Sequence, residues 1–241
     1  MKSISQFLLL FSIACLANSC DVTGQNHVKG SGNMTKEERN VGAFKTVSAK
    51  GSMDVYITQG PAKAAVIEAE DNIAPLIELE NRGDELVVRL KRGVNVNTRR
   101  EMKVYLTSPE IAGVNLSGSG NVKLENKISN NSDMRISLTG SGDMEGELNS
   151  PDIKASIAGS GNVKLAGETK NLDISIAGSG DFRGADLMSE NVDVSIAGSG
   201  NANVHASVKL DASIMGSGNV RYKGSPQISS KVMGSGSVVK N

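Results

Sequence analysis

The tripeptide Gly-Ser-Gly recurs seven times in the second half of the chain, and this repeat constrains the fold more than any other feature. The copies begin at Gly118, Gly140, Gly159, Gly178, Gly198, Gly216 and Gly234. Successive copies are 22, 19, 19, 20, 18 and 18 residues apart. A fixed period near 20 residues with glycine punctuation is typical of a solenoid, in which each repeat contacts only its neighbours.

Apolar and polar residues alternate on both sides of each Gly-Ser-Gly, which predicts β-strands with one buried face. The position two before the first glycine is apolar: Leu116, Leu138, Ile157, Ile176, Ile196, Ile214 and Val232. The position three before it is polar: Asn115, Ser137, Ser156, Ser175, Ser195, Ser213 and Lys231. The position four after it is apolar again: Val122, Met144, Val163, Phe182, Ala202, Val220 and Val238. Each repeat is therefore predicted to contain a strand, a tight corner that needs glycine, a second strand and a loop.

Two arrangements of these strands fit the spacing, an antiparallel meander of hairpins and a parallel β-solenoid. In a solenoid each coil lies about 4.8 Å from the next, and like side chains in register stabilise the stack. A meander gives no reason for one residue type to recur at fixed offsets. We therefore predict an all-β fold, a single-stranded parallel β-helix with coils of about 19 residues. Ile157, Ile176, Ile196 and Ile214 should form one buried column.

The N-terminus is typical of an export signal. Lys2 precedes an apolar run over residues 7–17, which is too short for a transmembrane span of about 20 residues. The segment that ends in Cys20 resembles a bacterial lipobox, so we predict a signal peptide over residues 1–19 and a lipid on Cys20. The alternative is an ordinary cleaved signal in which Cys20 has no role. Cys15 lies in the leader, so Cys20 would be the lone cysteine of the mature chain, without an internal disulfide partner.

The remainder of the chain divides into a tether and a folded part. Residues 20–42 are polar and lack an apolar period, which predicts a flexible, lipid-anchored tether. Residues 43–241 are predicted to form the solenoid, with longer irregular coils over 43–110 and regular repeats over 111–241. Val47 and Ala49 precede Gly51 with the spacing of a repeat, which places the irregular part on the same plan.

Composition argues against several functions. The chain has 26 basic and 26 acidic side chains, a formal net charge of zero, so electrostatics give no basis for binding nucleic acid or an anionic membrane. Trp is absent, and two of the four Phe lie in the leader, which argues against an aromatic platform for sugars or bases. Neither His27 nor His205 has a metal-ligand partner at a useful spacing. No cofactor and no metal are expected.

Two outward-facing columns are candidates for chemistry. Asp173, Asp193 and Asp211 stand five positions before successive first glycines, and we call them the acidic column. At steps of about 4.8 Å such carboxylates could hold calcium or act as acid and base, whereas a solvated face without a role is the simpler interpretation. Asn and Asp recur three positions after the first glycine, at Asn121, Asp143, Asn162, Asp181, Asn201 and Asn219. These side chains are predicted to form a hydrogen-bonded ladder at the corner, beside central serines that face solvent.

Several segments occur in a characteristic order along the chain: residues 44–47 before Gly51, residues 54–60, 71–73, 83–86 and 108–111, and then the Gly-Ser-Gly series. In this combination the chain resembles the bacterial "putative auto-transporter adhesin, head GIN domain" family. The resemblance implies a right-handed β-solenoid, a cell-envelope location and an adhesin function. It implies no catalytic residue.

The resemblance and the leader favour a non-enzymatic lipoprotein of the outer membrane or cell surface that presents a repetitive surface for binding. Its expected partners are the membrane, through the lipid on Cys20, and an unidentified glycan or envelope protein. The isolated domain is expected to be a monomer, because Pro226 and Lys231 blunt the last strand edge. Two hypotheses stay open beside it: a polysaccharide-active enzyme that uses the acidic column, and a structural or assembly module of the envelope.

Overall fold

The computed structural model describes residues 26–241, so the predicted signal peptide and Cys20 lie outside the described residues. The N-terminal strands are β1 (Asn26–Lys29), β2 (Met34–Arg39), β3 (Thr46–Gly51), β4 (Asp54–Gln59), β5 (Ala65–Glu70), β6 (Ile77–Arg82), β7 (Glu85–Leu90), β8 (Val94–Asn97) and β9 (Lys103–Ser108). The repeat region contains β10 (Gly113–Gly118), β11 (Asn121–Leu124), β12 (Ile128–Ser129), β13 (Met134–Gly140), β14 (Asp143–Gly159), β15 (Asn162–Gly178), β16 (Asp181–Gly198), β17 (Asn201–Gly216), β18 (Asn219–Lys223), β19 (Gln227–Gly234) and β20 (Ser237–Lys240). A 3-10 helix, Ala74–Leu76, precedes β6. Over residues 26–241, no helix is long and apolar enough to cross a membrane.

Strands of successive coils pair in parallel, which confirms the solenoid and rules out the meander. β14 pairs with β15 from Asp143 opposite Asn162 to Gly159 opposite Gly178, an offset of one 19-residue repeat at both ends. β15 and β16 continue the stack, and so do β16 and β17, with register shifts confined to the loop side of the coil. The repeat in the sequence is therefore the repeat of the coil.

One buried column runs through the core, as predicted. Its members are opposite one another on adjacent strands from β7 to β17: Val88, Ala49, Leu116, Leu138, Ile157, Ile176, Ile196 and Ile214. Each is at most 2% exposed. The serines one position earlier, such as Ser175 and Ser195, are exposed on the other face of the same strands. Full burial of one such aliphatic side chain stabilises the fold by about 1.5–3 kcal/mol.

The Gly-Ser-Gly segments are the points where the coils approach most closely. The carbonyl oxygen of Gly159 accepts hydrogen bonds from the backbone N–H groups of Ser179, at 2.9 Å, and Gly180, at 3.0 Å, in the next coil. A Cβ on Gly180 would lie 2.2 Å from the carbonyl oxygen of Gly161, far inside van der Waals contact. Gly178 has a φ of 124°, a conformation that side chains with a Cβ rarely adopt. The chain bends at each central serine, and all seven serines are exposed as predicted.

Residues 26–39 are not a flexible tether, and this part of the prediction for residues 20–42 is wrong. β1 pairs in parallel with β8, and β2 pairs antiparallel with β5 along its whole length, from Met34 opposite Glu70 to Arg39 opposite Ala65. The segment between them is held by side chains, since Gly32 N–H donates to Glu70 Oε1 at 2.7 Å. Backbone pairing to an existing sheet holds this segment, so it needs no apolar period of its own.

The irregular N-terminal coils extend the sheets of the regular repeats. β3 lies between β7 and β10 in parallel register, and β4 lies between β9 and β11. Antiparallel strands then continue the sheets: β6 pairs with β7, and β5 joins β9 to β2. The parallel strands at this end of the solenoid are thereby paired, and the sheets end instead at the antiparallel strands β2 and β6.

The buried column predicts that substitutions at two adjacent residues, Ser175 and Ile176, change the free energy of unfolding by very different amounts. Ile176→Ala should lower the free energy of unfolding by about 2–5 kcal/mol, because it leaves a cavity in the column. Ser175→Ala, on the exposed face, should change it by less than about 0.5 kcal/mol. Urea unfolding of the two variants and the parent measures both values, and equal losses would mean that the faces are assigned wrongly.

Candidate functional site

The acidic column is brought together as the spacing predicts. Asp173, Asp193 and Asp211 lie opposite one another on β15, β16 and β17, and Lys154 lies opposite Asp173 on β14. Asp173 and Asp193 are exposed, whereas Asp211 is partly covered and pairs with Lys209 at 2.5 Å. Lys154 and Lys209 border a shallow depression of about 240 Å³ with the three carboxylates.

The electrostatics of this column centre on its middle member. Burial raises the pKa of the Asp193 carboxyl above its usual value, and the neighbouring charges of Asp173 and Asp211 raise it further, while Lys209 opposes them. Within residues 26–241, no group of three or more His, Cys, Asp and Glu side chains is placed to hold a metal ion. The calcium interpretation of the column therefore has no geometric support.

The predicted Asn/Asp ladder is present beside the corner. Asn162 donates to Asp143 Oδ1 from its backbone N–H, at 3.1 Å, and from its side-chain amide, at 2.8 Å. Asn201 donates twice to Asp181 in the same way, and Asn121 donates twice to Asp54 of the first corner. The side chains are thus held in one orientation along the coil stack, with carboxylates that are separated by amides.

A second outward column, which the sequence analysis did not single out, lies beside this ladder. It stands five positions after the first glycine, and its members face one another on β4, β11, β14, β15 and β16: Tyr56, Lys123, Glu145, Lys164 and Arg183. Tyr56 also stacks on Tyr105 of β9, with ring centroids 4.9 Å apart and planes 18° from parallel. Two of the few aromatic rings are therefore adjacent, which counting aromatic residues could not show.

The Asn/Asp ladder and the column that runs from Tyr56 to Arg183 line one surface groove of about 460 Å³, which we call the tyrosine groove. Its polar and aromatic lining side chains are Asp54, Tyr56, Asn121, Lys123, Asp143, Glu145, Asn162, Lys164 and Arg183. Lys123 pairs with Glu145 at 2.8 Å, and Arg183 lies 3.6 Å from Asp181. The groove is open, polar and preorganised by its hydrogen bonds, which suits binding of an extended ligand more than enclosure of a small one.

Comparison with known proteins identifies the family. The sequence profile described as "Putative auto-transporter adhesin, head GIN domain" matches residues 43–226. The chain belongs to this head GIN domain family. Among curated proteins, no sequence matches the chain significantly.

Solved relatives of this head GIN protein have the same fold. One, described as a "putative adhesin" from Bacteroides fragilis NCTC 9343, is 27% identical with a TM-score of 0.84, and the match covers 89% of this chain and 100% of that one. A "putative lipid binding protein" from Parabacteroides distasonis ATCC 8503 is 27% identical, with a TM-score of 0.73 and coverage of 90% and 100%. A "putative adhesin" from Parabacteroides merdae ATCC 43184 is 26% identical, with a TM-score of 0.70 and coverage of 90% and 99%. The family resemblance and the all-β solenoid predicted from the sequence are both confirmed.

The raised pKa of Asp193 predicts that replacing its carboxyl with a neutral side chain stabilises the fold by an amount that depends on pH. The pKa of the Asp193 carboxyl in the folded protein lies above the unfolded value of about 3.9. Ionisation of Asp193 therefore lowers the stability of the fold as the pH rises from the unfolded to the folded pKa, and this loss of stability persists at neutral pH. Asp193→Asn should therefore raise the melting temperature at pH 7, and the gain should vanish below about pH 3.9, where the parent carboxyl is protonated.

Asp211→Asn is the matched control, because it removes a carboxylate that pairs with Lys209. The melting temperature of this variant at pH 7 should not rise by a comparable amount. Thermal unfolding across the pH range decides the matter, and a destabilised Asp193→Asn protein at pH 7 would contradict the electrostatic account of the column.

Proposed function

We propose that the protein is a non-enzymatic cell-envelope lipoprotein that adheres to a partner through the outer surface of its solenoid. The observation that carries this proposal is the in-register stacking of outward columns on a rigid parallel sheet. Such stacking sets outward-facing side chains at steps of ~4.8 Å along the molecule, as at the exposed central serines of the corners. A repetitive, open surface of this kind suits many weak contacts with an extended partner, whose combined strength exceeds that of each contact.

The descriptions of the relatives support adhesion more than catalysis. Of the three solved relatives named above, two are described as "putative adhesin" and one as "putative lipid binding protein". The apolar cavity lined by Val114, Val122 and Leu165 measures only about 10 Å³, barely the room of one water molecule, so this cavity cannot hold a lipid. Binding at this chain is therefore proposed for the outer surface.

Attachment to the envelope is proposed through Cys20. This residue lies outside the described part of the chain, and the sequence has no cysteine after it. A single lipid chain gives only marginal membrane binding, so the diacylglyceryl group that a lipobox cysteine receives would provide stable anchoring. The domain would then be displayed at the outer membrane or cell surface as a monomer.

The two alternatives have less support than adhesion. A polysaccharide-active enzyme would need a cleft that encloses its substrate around the acidic column, but the column borders only a shallow depression of about 240 Å³. An assembly module would use the free edge at β19, where Ile228 and Val232 are 42% and 39% exposed. Ser230 interrupts the apolar face of that strand, and Lys231 adds a charge on its opposite face, which disfavours edge-to-edge growth.

Expression of the full-length chain in a non-adherent bacterial host tests the proposal. Cells that carry the protein should remain on surfaces coated with mucin, neutral polysaccharides or a bacterial envelope fraction in larger numbers than cells with an empty vector. The protein should fractionate with membranes. Cys20→Ala should move it to the soluble fraction and return cell retention to the background level, because the unanchored domain no longer links cell to surface.

Cys15→Ala provides the matched control, since it removes the other cysteine without changing the predicted lipidation site. Membrane attachment that survives Cys20→Ala would refute the lipid anchor. Retention of the parent cells at the empty-vector level on all three surfaces would refute adhesion.

A further inference from the structure

We propose that the tyrosine groove binds a neutral, hydroxyl-rich polysaccharide chain that lies along the solenoid axis. This proposal rests on the adhesive function proposed above and names the ligand class and the residues that recognise it. Tyr56, Lys164 and Arg183 are the binding residues to which we assign the largest contributions, and the Asn/Asp ladder supplies the remaining polar contacts.

The Tyr56 ring provides the apolar part of the site. Tyr105 stacks on the ring from one side. On the next strand Lys123 lies opposite Tyr56, and its ammonium group pairs with Glu145, one strand farther along. Because Tyr105 fixes the ring, Tyr56 loses little conformational freedom when a ligand packs on it. A sugar ring has apolar C–H faces and hydroxyl edges, and a tyrosine ring among polar side chains matches both.

The charges of the groove favour a neutral ligand over a polyanion. Its basic side chains are Lys123, Lys164 and Arg183, and its acidic side chains are Asp54, Asp143 and Glu145. Three positive and three negative charges sum to zero, so a polyanionic chain would bring its charges beside carboxylates without a compensating excess of cations. A hydroxyl group, by contrast, donates to a carboxylate and accepts from an ammonium or guanidinium group.

The polar groups are preorganised for this role. Asp143 Oδ1 already accepts two hydrogen bonds from Asn162, which fixes the carboxylate while its second oxygen has lone pairs to spare. Glu145 forms an ion pair with Lys123 at 2.8 Å, in which both side chains are about half exposed. On the next strand, Lys164 lies opposite Glu145, and Arg183 follows opposite Lys164. Groups held in place before binding cost less entropy when a ligand arrives.

The length of the groove fits a chain of several sugar units. Tyr56 is on β4 and Arg183 is on β16, with β11, β14 and β15 between them in register. Four steps of ~4.8 Å separate the two ends by roughly 19 Å. An extended polysaccharide could therefore contact the aromatic end and the guanidinium end together, which a single sugar could not do.

Retention of the detergent-solubilised, full-length lipoprotein on immobilised polysaccharides tests the proposal. The neutral probes are mannan, xylan and amylopectin, and the anionic probes are heparin and polygalacturonate. At least one neutral probe should retain the parent protein more strongly than either anionic probe. Tyr56→Ala should weaken that retention at least about tenfold, and so should the double variant that combines Lys164→Ala with Arg183→Ala. Tyr56→Phe should preserve most of the retention.

Lys154→Ala is the matched control for Lys164→Ala, because Lys154 is an exposed lysine on the other face, beside the acidic column. It should bind as the parent does, and thermal unfolding should confirm that every variant is folded. Stronger retention on an anionic probe, no retention on any neutral probe, or equal binding by folded Tyr56→Ala would overturn the proposal. If cells that carry Tyr56→Ala still adhere, the adhesive function stands but the tyrosine groove is not the adhesive site. If cells that carry the parent protein do not adhere, the adhesive function itself is refuted.

Discussion

The close approach of successive coils at the Gly-Ser-Gly segments sets the geometry of the whole solenoid. There the carbonyl oxygen of Gly159 accepts hydrogen bonds from both Ser179 and Gly180 of the next coil. The bonding repeats at the other corners of the regular coils, and it leaves no room for a Cβ on the second glycine, as Gly180 illustrates. Because the backbones are locked together at this point, residues at equal short distances from it face one another on successive coils, and the register shifts only farther along the coil.

The core and the outer surface both follow from that alignment. Ile157, Ile176 and Ile196 meet in a buried column because each stands two positions before a corner. The Asn/Asp ladder stands three positions after it, and the tyrosine groove collects the residues three and five positions after it. A sequence change at an outward-facing offset therefore alters a defined site on one face, whereas a change at a core or corner offset disturbs the stack itself.

The coils with glycine-marked corners, including the one at Gly51, could be predicted from sequence, whereas pairings away from these corners could not. The pairing of Tyr56 with Tyr105 was hidden because no Gly-Ser-Gly precedes Tyr105, so the register of β9 is visible only in the fold. β2 was mistaken for tether because backbone hydrogen bonds to β5 hold it, without a buried apolar face of its own. The acidic column was found, but its pairing with Lys209 depends on side-chain geometry that spacing does not specify.

The free energy of unfolding of Gly180→Ala, compared with that of Gly60→Ala, tests the role of the glycine corners most directly. Neither glycine has a positive φ, so backbone strain does not separate the two. A Cβ at Gly180 would lie 2.2 Å from the Gly161 carbonyl oxygen, whereas at Gly60 its nearest neighbour is 3.6 Å away. We expect Gly180→Ala to lose about 3 kcal/mol or more and Gly60→Ala to stay within about 1 kcal/mol of the parent. Equal stability of the two variants would contradict the account.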